Sequence, residues 1–126
     1  MNKTILVVED IESHGKFLMR RLKNEGYEVE LATDVETGIY MAQKGDISLI
    51  ILDVMLPKSL DDPEIDGYGG FRIAEGIKDR DIPIIFTTVW EREEEYLRAK
   101  ELGMKAYFSK PYDIEELLRK IREILQ

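Results

Sequence analysis

Three carboxylates and one lysine stand directly after short apolar or aromatic runs, where their side chains could act together. Glu9 and Asp10 follow four consecutive apolar residues, Asp53 follows another four, and Lys110 follows a segment with two aromatic residues. Carboxylates cannot lie side by side without a counter-charge, which a divalent cation and Lys110 would supply. This residue set indicates a metal-dependent phosphoryl site in which Asp53 is best placed to carry the phosphoryl group.

The hydrophobic pattern alternates between strand and helix five times along the chain. The predicted strands are Ile5–Val8, Tyr27–Leu31, Ile47–Leu52, Ile82–Thr88 and Ala106–Ser109. The predicted helices follow at about residues 13–25, 35–45, 70–78, 91–102 and 114–125. This alternation predicts an α/β fold, a doubly wound five-stranded parallel sheet with strand order 2-1-3-4-5 and flavodoxin-like topology.

That topology would bring the charged residues to one edge of the sheet. In open parallel sheets, ligands bind outside the carboxyl ends of the strands, at the point where the strand order reverses. Here this point lies between the first and third strands. We therefore expect Glu9, Asp10 and Asp53 on the two sides of one crevice.

Helix boundaries and faces can also be predicted. Asp34 and Asp113 are typical caps for the second and fifth helices, and Gly26 is a typical stop for the first. On the first helix, the spacing of Phe17, Leu18 and Leu22 predicts that all three lie on one apolar face.

Composition limits the class of protein. The 126 residues carry a net charge of −8 and are 44% apolar, which predicts a single domain over residues 1–126. Basic residues are dispersed among acidic ones, so we expect no nucleic-acid binding by this domain. No apolar run approaches the ~20 residues of a membrane span, so we expect no membrane association. Without cysteine there is no disulfide or thiolate site, and a cytoplasmic location is the simplest expectation.

Four short motifs occupy strand ends in an informative order. They are Glu9-Asp10, Leu52-Asp53-Val54-Met55-Leu56-Pro57, Pro83-Ile84-Ile85-Phe86-Thr87-Thr88 and Tyr107-Phe108-Ser109-Lys110-Pro111-Tyr112. Together they resemble the receiver domain of two-component response regulators, of the chemotaxis-regulator kind. The resemblance implies a phosphorylation-controlled signalling switch that accepts a phosphoryl group from the phosphohistidine of a sensor histidine kinase. It implies a switch rather than a turnover enzyme, with a possible phosphorylation-dependent dimer.

The resemblance also implies a role for individual residues. Asp53 corresponds to the phospho-accepting aspartate, and Lys110 to the lysine that pairs with the phosphoryl group. Thr88 corresponds to the hydroxyl residue that turns toward this group, and Tyr107 to the aromatic switch residue. The bond between Lys110 and Pro111 is expected to be cis.

A magnesium site is implied at the same place. Asp10 corresponds to a direct Mg²⁺ ligand together with Asp53, and Glu9 lies beside it in the acidic pocket. Met55 is expected to offer its backbone carbonyl. Oxygen ligands of this kind suit Mg²⁺, which keeps several of its waters.

Several residues depart from the family pattern. Glu9 replaces the more usual aspartate but keeps the charge, and Val89 is larger than usual and could crowd the phosphoryl pocket. Lys58–Ile65 forms an acidic loop of eight residues where about two are usual. Met55 and Trp90 flank the expected path of water to the acyl phosphate. Because both side chains are large and apolar, we predict slow self-dephosphorylation.

Other functions remain as alternatives. A pseudo-receiver that docks proteins without being phosphorylated is the main one. A flavin protein of the same topology would need a neutral, hydroxyl-rich loop after the first strand, whereas this chain has Glu9-Asp10-Ile11-Glu12. A haloacid-dehalogenase-type phosphatase would want a second aspartate where Met55 stands.

Two further features favour the plainer interpretation. Asp62–Gly67 resembles the start of a calcium loop, but Ile73 stands where a bidentate glutamate is needed, so a solvated acidic loop is favoured. His14 is most simply a surface residue. The sequence leaves open the kinase, the downstream target, and whether the chain is a whole regulator or part of a longer protein.

Overall fold

The computed structural model describes residues 2–90 and 92–126. Within them lie the strands β1 (Thr4–Val8), β2 (Glu28–Ala32), β3 (Leu49–Asp53), β4 (Leu56–Ser59), β5 (Asp62–Asp66), β6 (Ile84–Thr88) and β7 (Ala106–Ser109). The α-helices are α1 (Glu12–Asn24), α2 (Val35–Lys44), α3 (Gly69–Gly76), α4 (Glu93–Glu101) and α5 (Ile114–Leu125), with a short 3-10 helix at Lys78–Arg80.

Five of these strands form one parallel sheet in the order β2-β1-β3-β6-β7. The predicted order 2-1-3-4-5 is confirmed, because β6 and β7 are the fourth and fifth strands of the prediction. The register places Val8 beside Leu52 and Asp53 beside Thr87. The carboxyl ends of the central strands are therefore level with one another.

The sheet is covered on both faces, as successive side chains of a strand point to opposite sides. Leu6 and Ile50 pack in the core on the side of α2, α3 and α4. Ile5 and Ile51 pack in a second core with α1 and α5. Among the described residues, no helix is long and apolar enough to cross a membrane.

The segment predicted as a loop at Lys58–Ile65 is instead part of an antiparallel hairpin of β4 and β5. Leu56 pairs with Asp66, and the register shifts between Pro57 and Ser59. The hairpin packs mainly on α2 and lies outside the main sheet. It begins only one residue beyond Met55.

Most predicted helix signals hold. The side chain of Asp34 accepts a hydrogen bond from the Thr37 amide at 2.9 Å, and Gly26 ends α1 with φ of 98°. The expectation for Phe17 is wrong, since 49% of this residue is exposed. The predicted start of the fourth helix at Glu91 lies outside the described residues.

Remaining differences are small shifts of element ends. The third predicted strand began at Ile47, which is buried but precedes β3. The third predicted helix ends at Gly76 and gives way to the 3-10 helix. Such shifts are usual for boundaries set by backbone hydrogen bonds rather than by side-chain pattern.

Candidate functional site

The candidate site lies at the carboxyl edge of the sheet. Asp53 is the last residue of β3, Glu9 and Asp10 follow β1, Thr88 ends β6, and Lys110 follows β7. The parallel register thus collects side chains that are far apart in sequence. All five residues stand where the pattern of strands predicted them.

Lys110 joins two of the carboxylates. Its Nζ donates a hydrogen bond to Asp53 Oδ2 at 2.9 Å and a second one to Glu9 Oε1. Glu9 Oε2 in turn accepts a hydrogen bond from the Ile11 amide at 3.2 Å. Asp53 is 7% exposed and Glu9 6%, so these ionic contacts are shielded from bulk water. The bond between Lys110 and Pro111 is cis, as expected.

The cluster holds more negative charge than one lysine can balance. Burial and the charge of Glu9 raise the pKa of Asp53 to about 7, although Lys110 acts in the opposite direction. Burial would also raise the pKa of Glu9, but its hydrogen bond and ion pair with Lys110 hold that pKa below the ordinary value. Burial and the neighbouring Glu9 raise the pKa of Asp10. The two carboxylates outweigh burial and raise the pKa of Lys110.

The donor atoms present fit a hard divalent cation. One carboxylate oxygen each from Glu9, Asp10 and Asp53 lies within 4.8 Å of the others. Two oxygens bound to one Mg²⁺ at about 2.1 Å are at most about 4.2 Å apart, so little movement is needed. The strained electrostatics of the cluster favour such an ion. Met55, half-buried beyond β3, follows Asp53 at the same edge.

The hydroxyl of Thr88 is engaged by a tight turn. Thr88 Oγ1 accepts a hydrogen bond from the Trp90 amide at 3.1 Å and donates one to the Trp90 carbonyl at 3.2 Å. The Trp90 side chain is 42% exposed, and the Arg92 guanidinium lies over its ring at 4.1 Å from the centroid. Thr88 is fully buried, so reorienting its hydroxyl requires both hydrogen bonds to break.

Tyr107 connects β7 with α4. Its ring meets that of Tyr96 edge-on at 5.5 Å between centroids, a favourable aromatic geometry. Its hydroxyl oxygen is buried. Tyr107 and Thr88 are thus on neighbouring strands, with Thr88 paired to Ser109 in the ladder.

Gly70 supports the site in a way that the sequence pattern did not reveal. Its amide donates a hydrogen bond to the Val54 carbonyl at 2.8 Å. A Cβ atom at this position would lie 2.3 Å from the Asp53 carbonyl oxygen, closer than atoms can pack. Glycine is therefore required for α3 to approach the backbone of the phosphoryl-acceptor candidate.

The remaining sequence features lie at the rim. Asp66 pairs with Arg72 and accepts the Tyr68 amide at 2.9 Å, so it already has partners of its own. His14 is half-exposed, with Nδ1 3.9 Å from Glu9 Oε1. Val89 is 54% exposed and lines a surface cavity beside Lys110.

Comparison with known proteins agrees with this geometry. The family model of the response regulator receiver domain matches residues 5–122. The transcriptional regulatory protein PcoR of Escherichia coli is 35% identical over 124 residues, covering 97% of this chain and 51% of PcoR. The probable transcriptional regulator ycf27 of Cyanophora paradoxa is 39% identical over 124 residues, 98% of this chain and 48% of that protein. The chain therefore spans about half the length of these curated relatives.

Solved structures agree as well. A CheY-like receiver domain protein from Methanospirillum hungatei JF-1 superposes with a TM-score of 0.87 at 28% identity, covering 99% of this chain and 94% of that one. The non-phosphorylated HemR receiver domain from Leptospira biflexa superposes with a TM-score of 0.85 at 32% identity, covering 99% of this chain and 95% of that one. The chain belongs to the response regulator receiver family, whose members act as phosphorylation switches and receive signals from histidine kinases.

Proposed function

We propose that Asp53 accepts a phosphoryl group from the phosphohistidine of a sensor histidine kinase, with Mg²⁺ as cofactor. The observation that carries this proposal is the placement of Asp53. Its carboxylate is buried at the end of β3, hydrogen-bonded to Lys110 and beside two further carboxylates. No other described aspartate combines burial, a lysine partner and a nearby acidic pair.

The proposed step is an in-line transfer. A carboxylate oxygen of Asp53 attacks phosphorus, the phosphorus–nitrogen bond of the phosphohistidine breaks, and its electron pair stays on the imidazole. The product is an acyl phosphate on Asp53. Lys110 then pairs with an equatorial oxygen of the phosphoryl group, exchanging one of its present carboxylate contacts for this new one.

Asp10, Asp53, Glu9 and the backbone carbonyl of Met55 are the groups proposed to hold Mg²⁺. When bound, the ion neutralises charge on the phosphoryl oxygens. The short distances between the carboxylate oxygens of Glu9, Asp10 and Asp53 support this assignment. Glu9 also keeps Lys110 in place, so its longer side chain serves the lysine as well as the ion.

We propose that Thr88 and Tyr107 carry the signal away from the site. Thr88 would leave its turn with Trp90 and donate its hydroxyl hydrogen to the phosphoryl group. Because Tyr107 touches α4 through Tyr96, movement of β6 and β7 reaches that helix directly. The downstream surface would then differ between the two states.

The remaining properties are proposed at the level of the family. Residues 1–126 would act as one receiver domain in the cytoplasm, as a switch without substrate turnover, with no direct contact to nucleic acid. Phosphorylation would favour formation of a dimer or binding of a target protein. The acidic pair, acceptor, hydroxyl and lysine are all present, which argues against a pseudo-receiver.

The test is mass spectrometry after incubation with acetyl phosphate, with and without Mg²⁺. The wild type should gain one phosphoryl group only when Mg²⁺ is present, and Asp53→Asn should gain none. Asp61→Asn, an exposed aspartate of the hairpin turn, is the matched control and should behave like the wild type. A mass gain that persists in Asp53→Asn would refute the assignment.

A further inference from the structure

A groove between α3 and α4 holds charged groups that the phosphoryl site does not use. It encloses about 380 Å³ and is open to solvent. Its lining includes Tyr68, Phe71, Glu75, Arg92, Glu94 and Glu95. Aromatic surface and carboxylates together suit a cation. Three arginines also line the groove, so a cation can bind only at glutamates that these arginines leave unpaired.

Glu95 is the unusual member of this lining. It is 4% exposed, and its Oε2 is buried and accepts no hydrogen bond from residues 2–90 or 92–126. Burial raises the pKa of Glu95, and the nearby Arg92 offsets this only in part. A buried carboxylate oxygen without a donor is unfavourable, so a ligand that donates a hydrogen bond to Glu95 would stabilise the groove.

Two of the arginines at the groove are already held by other acids. Arg72 pairs with Asp66 at the base of the hairpin. Arg98 pairs with Glu75 across the groove. Neither forms an ion pair with Glu95 within the described part of the chain. The charges of Arg72 and Arg98 are therefore already balanced by other carboxylates.

The third arginine is turned to an aromatic partner. The guanidinium of Arg92 lies over the Trp90 ring at 4.1 Å from the centroid. Glu94, like Glu95, has no ion pair among the described residues. Tyr68 is 53% exposed and offers its ring to the same space. Two carboxylates and one aromatic face are therefore left for a ligand.

We propose that this groove binds a guanidinium group, which donates to Glu95, is balanced by Glu94 and packs its flat face on Tyr68. A guanidinium is planar, presents donors in a fork that matches a carboxylate, and stacks on aromatic rings. Ammonium groups lack that planarity. The guanidinium would come either from a free guanidino compound or from an arginine side chain of a partner protein.

The test is a titration of the ¹⁵N-labelled protein followed by amide chemical shifts, without phosphodonor. The probes are agmatine, a capped Gly-Arg-Gly peptide, and the same peptide with citrulline, whose neutral urea group has nearly the same shape. We expect agmatine or the arginine peptide to shift amides of α3 and α4, and the citrulline peptide to leave them unchanged. Stronger binding of the arginine peptide would identify a partner protein as the source, and stronger binding of agmatine a free compound.

Variants locate the site. Glu95→Gln should weaken binding about tenfold, since a charge-assisted hydrogen bond is lost. Glu36→Gln, an exposed acid on α2 that does not line the groove, should bind like the wild type. Tyr68→Ala provides a second variant on an exposed side chain and should also weaken binding. Equal shifts with the citrulline peptide, unchanged affinity in both groove variants, or no shifts in α3 and α4 would overturn the proposal.

Discussion

Replacing Asp53 by asparagine should make the metal-free protein more stable at neutral to alkaline pH, although it removes the proposed phosphoryl acceptor. Burial and Glu9 raise the pKa of Asp53 from 3.8 to about 7. The ionised carboxylate is therefore less favourable in the folded protein than in the unfolded chain. At about 1.4 kcal/mol for each pKa unit, the difference amounts to about 4 kcal/mol once the group is fully ionised.

The sign of this effect depends on pH. Between about pH 4 and pH 7, the folded protein keeps a proton on Asp53 that the unfolded chain has already lost. The free energy of unfolding of the wild type therefore decreases as pH rises through this window. Asparagine cannot ionise, so the advantage of the variant should grow over the same window and become constant above it. Because the asparagine oxygen is a neutral acceptor and Lys110 loses a charge-assisted hydrogen bond, a measured gain of about 2–4 kcal/mol is expected.

The assay is urea unfolding in EDTA at several values between about pH 5 and pH 8, followed by tryptophan fluorescence. Trp90 is the only tryptophan of the chain and lies beside the site. Asp61→Asn is the control for loss of an exposed charge. A gain that does not change with pH, or a variant less stable than the wild type at pH 8, would refute the reasoning. Mg²⁺ should stabilise the wild type and have less effect on Asp53→Asn.

Three further predictions concern the same site. Lys110→Ala should lower the free energy of unfolding by about 3 kcal/mol in EDTA, because it leaves buried carboxylates without a partner, and Mg²⁺ should restore much of this loss. The chemical-shift changes induced by phosphorylation should be largely absent in this variant. Changes like those of the wild type would contradict the role given to the lysine. Gly70→Ala should lower the free energy of unfolding by about 1–3 kcal/mol and slow phosphorylation by acetyl phosphate, because the new methyl group meets the Asp53 carbonyl. Gly67→Ala, where the added atom meets nothing within 4 Å, is the matched control. Equal effects of the two variants would argue against the close contact. The double variant Met55→Asn/Trp90→Glu should lose its phosphoryl group about tenfold faster than the wild type, which corresponds to a barrier lower by about 1.4 kcal/mol. The measurement is the decay of phosphorylated protein over time. An unchanged rate would mean that these side chains do not control water access.

The parts of the site that could be predicted are those set by strand ends. Asp53 and Lys110 are far apart in sequence, yet a parallel sheet with right-handed crossovers leaves few ways to arrange the strands that carry them. Their meeting therefore follows from the hydrophobic pattern. The motif resemblance indicates the chemical roles, whereas the direct contact between Lys110 and Glu9 depends on packing that the sequence does not show.

The parts that could not be predicted depend on contacts between segments. The loop predicted at Lys58–Ile65 is defined only by its length, and its acidic sequence does not show that it pairs with Leu56 and Pro57. Proline cannot donate to a ladder, yet Pro57 and Pro63 are tolerated in a hairpin that lies outside the main sheet. Phe17 fits a helical apolar stripe, yet in the middle of α1 it lines an open cavity and stays exposed. Nothing in the sequence distinguishes the buried Glu95 from the exposed acids around it, since only the packing of α3 and α4 determines its burial.

If Thr88 acts as proposed, the turn that holds it bears on the fidelity of signalling. In the resting protein, the hydroxyl of Thr88 makes two hydrogen bonds with the backbone of Trp90. At about 1 kcal/mol each, releasing the hydroxyl spontaneously is disfavoured by about thirtyfold. Unstimulated protein would thus adopt the switched arrangement only a few per cent of the time. Under the proposed mechanism, the turn would keep background output low, because the phosphoryl group would have to offer Thr88 a better acceptor than the Trp90 carbonyl.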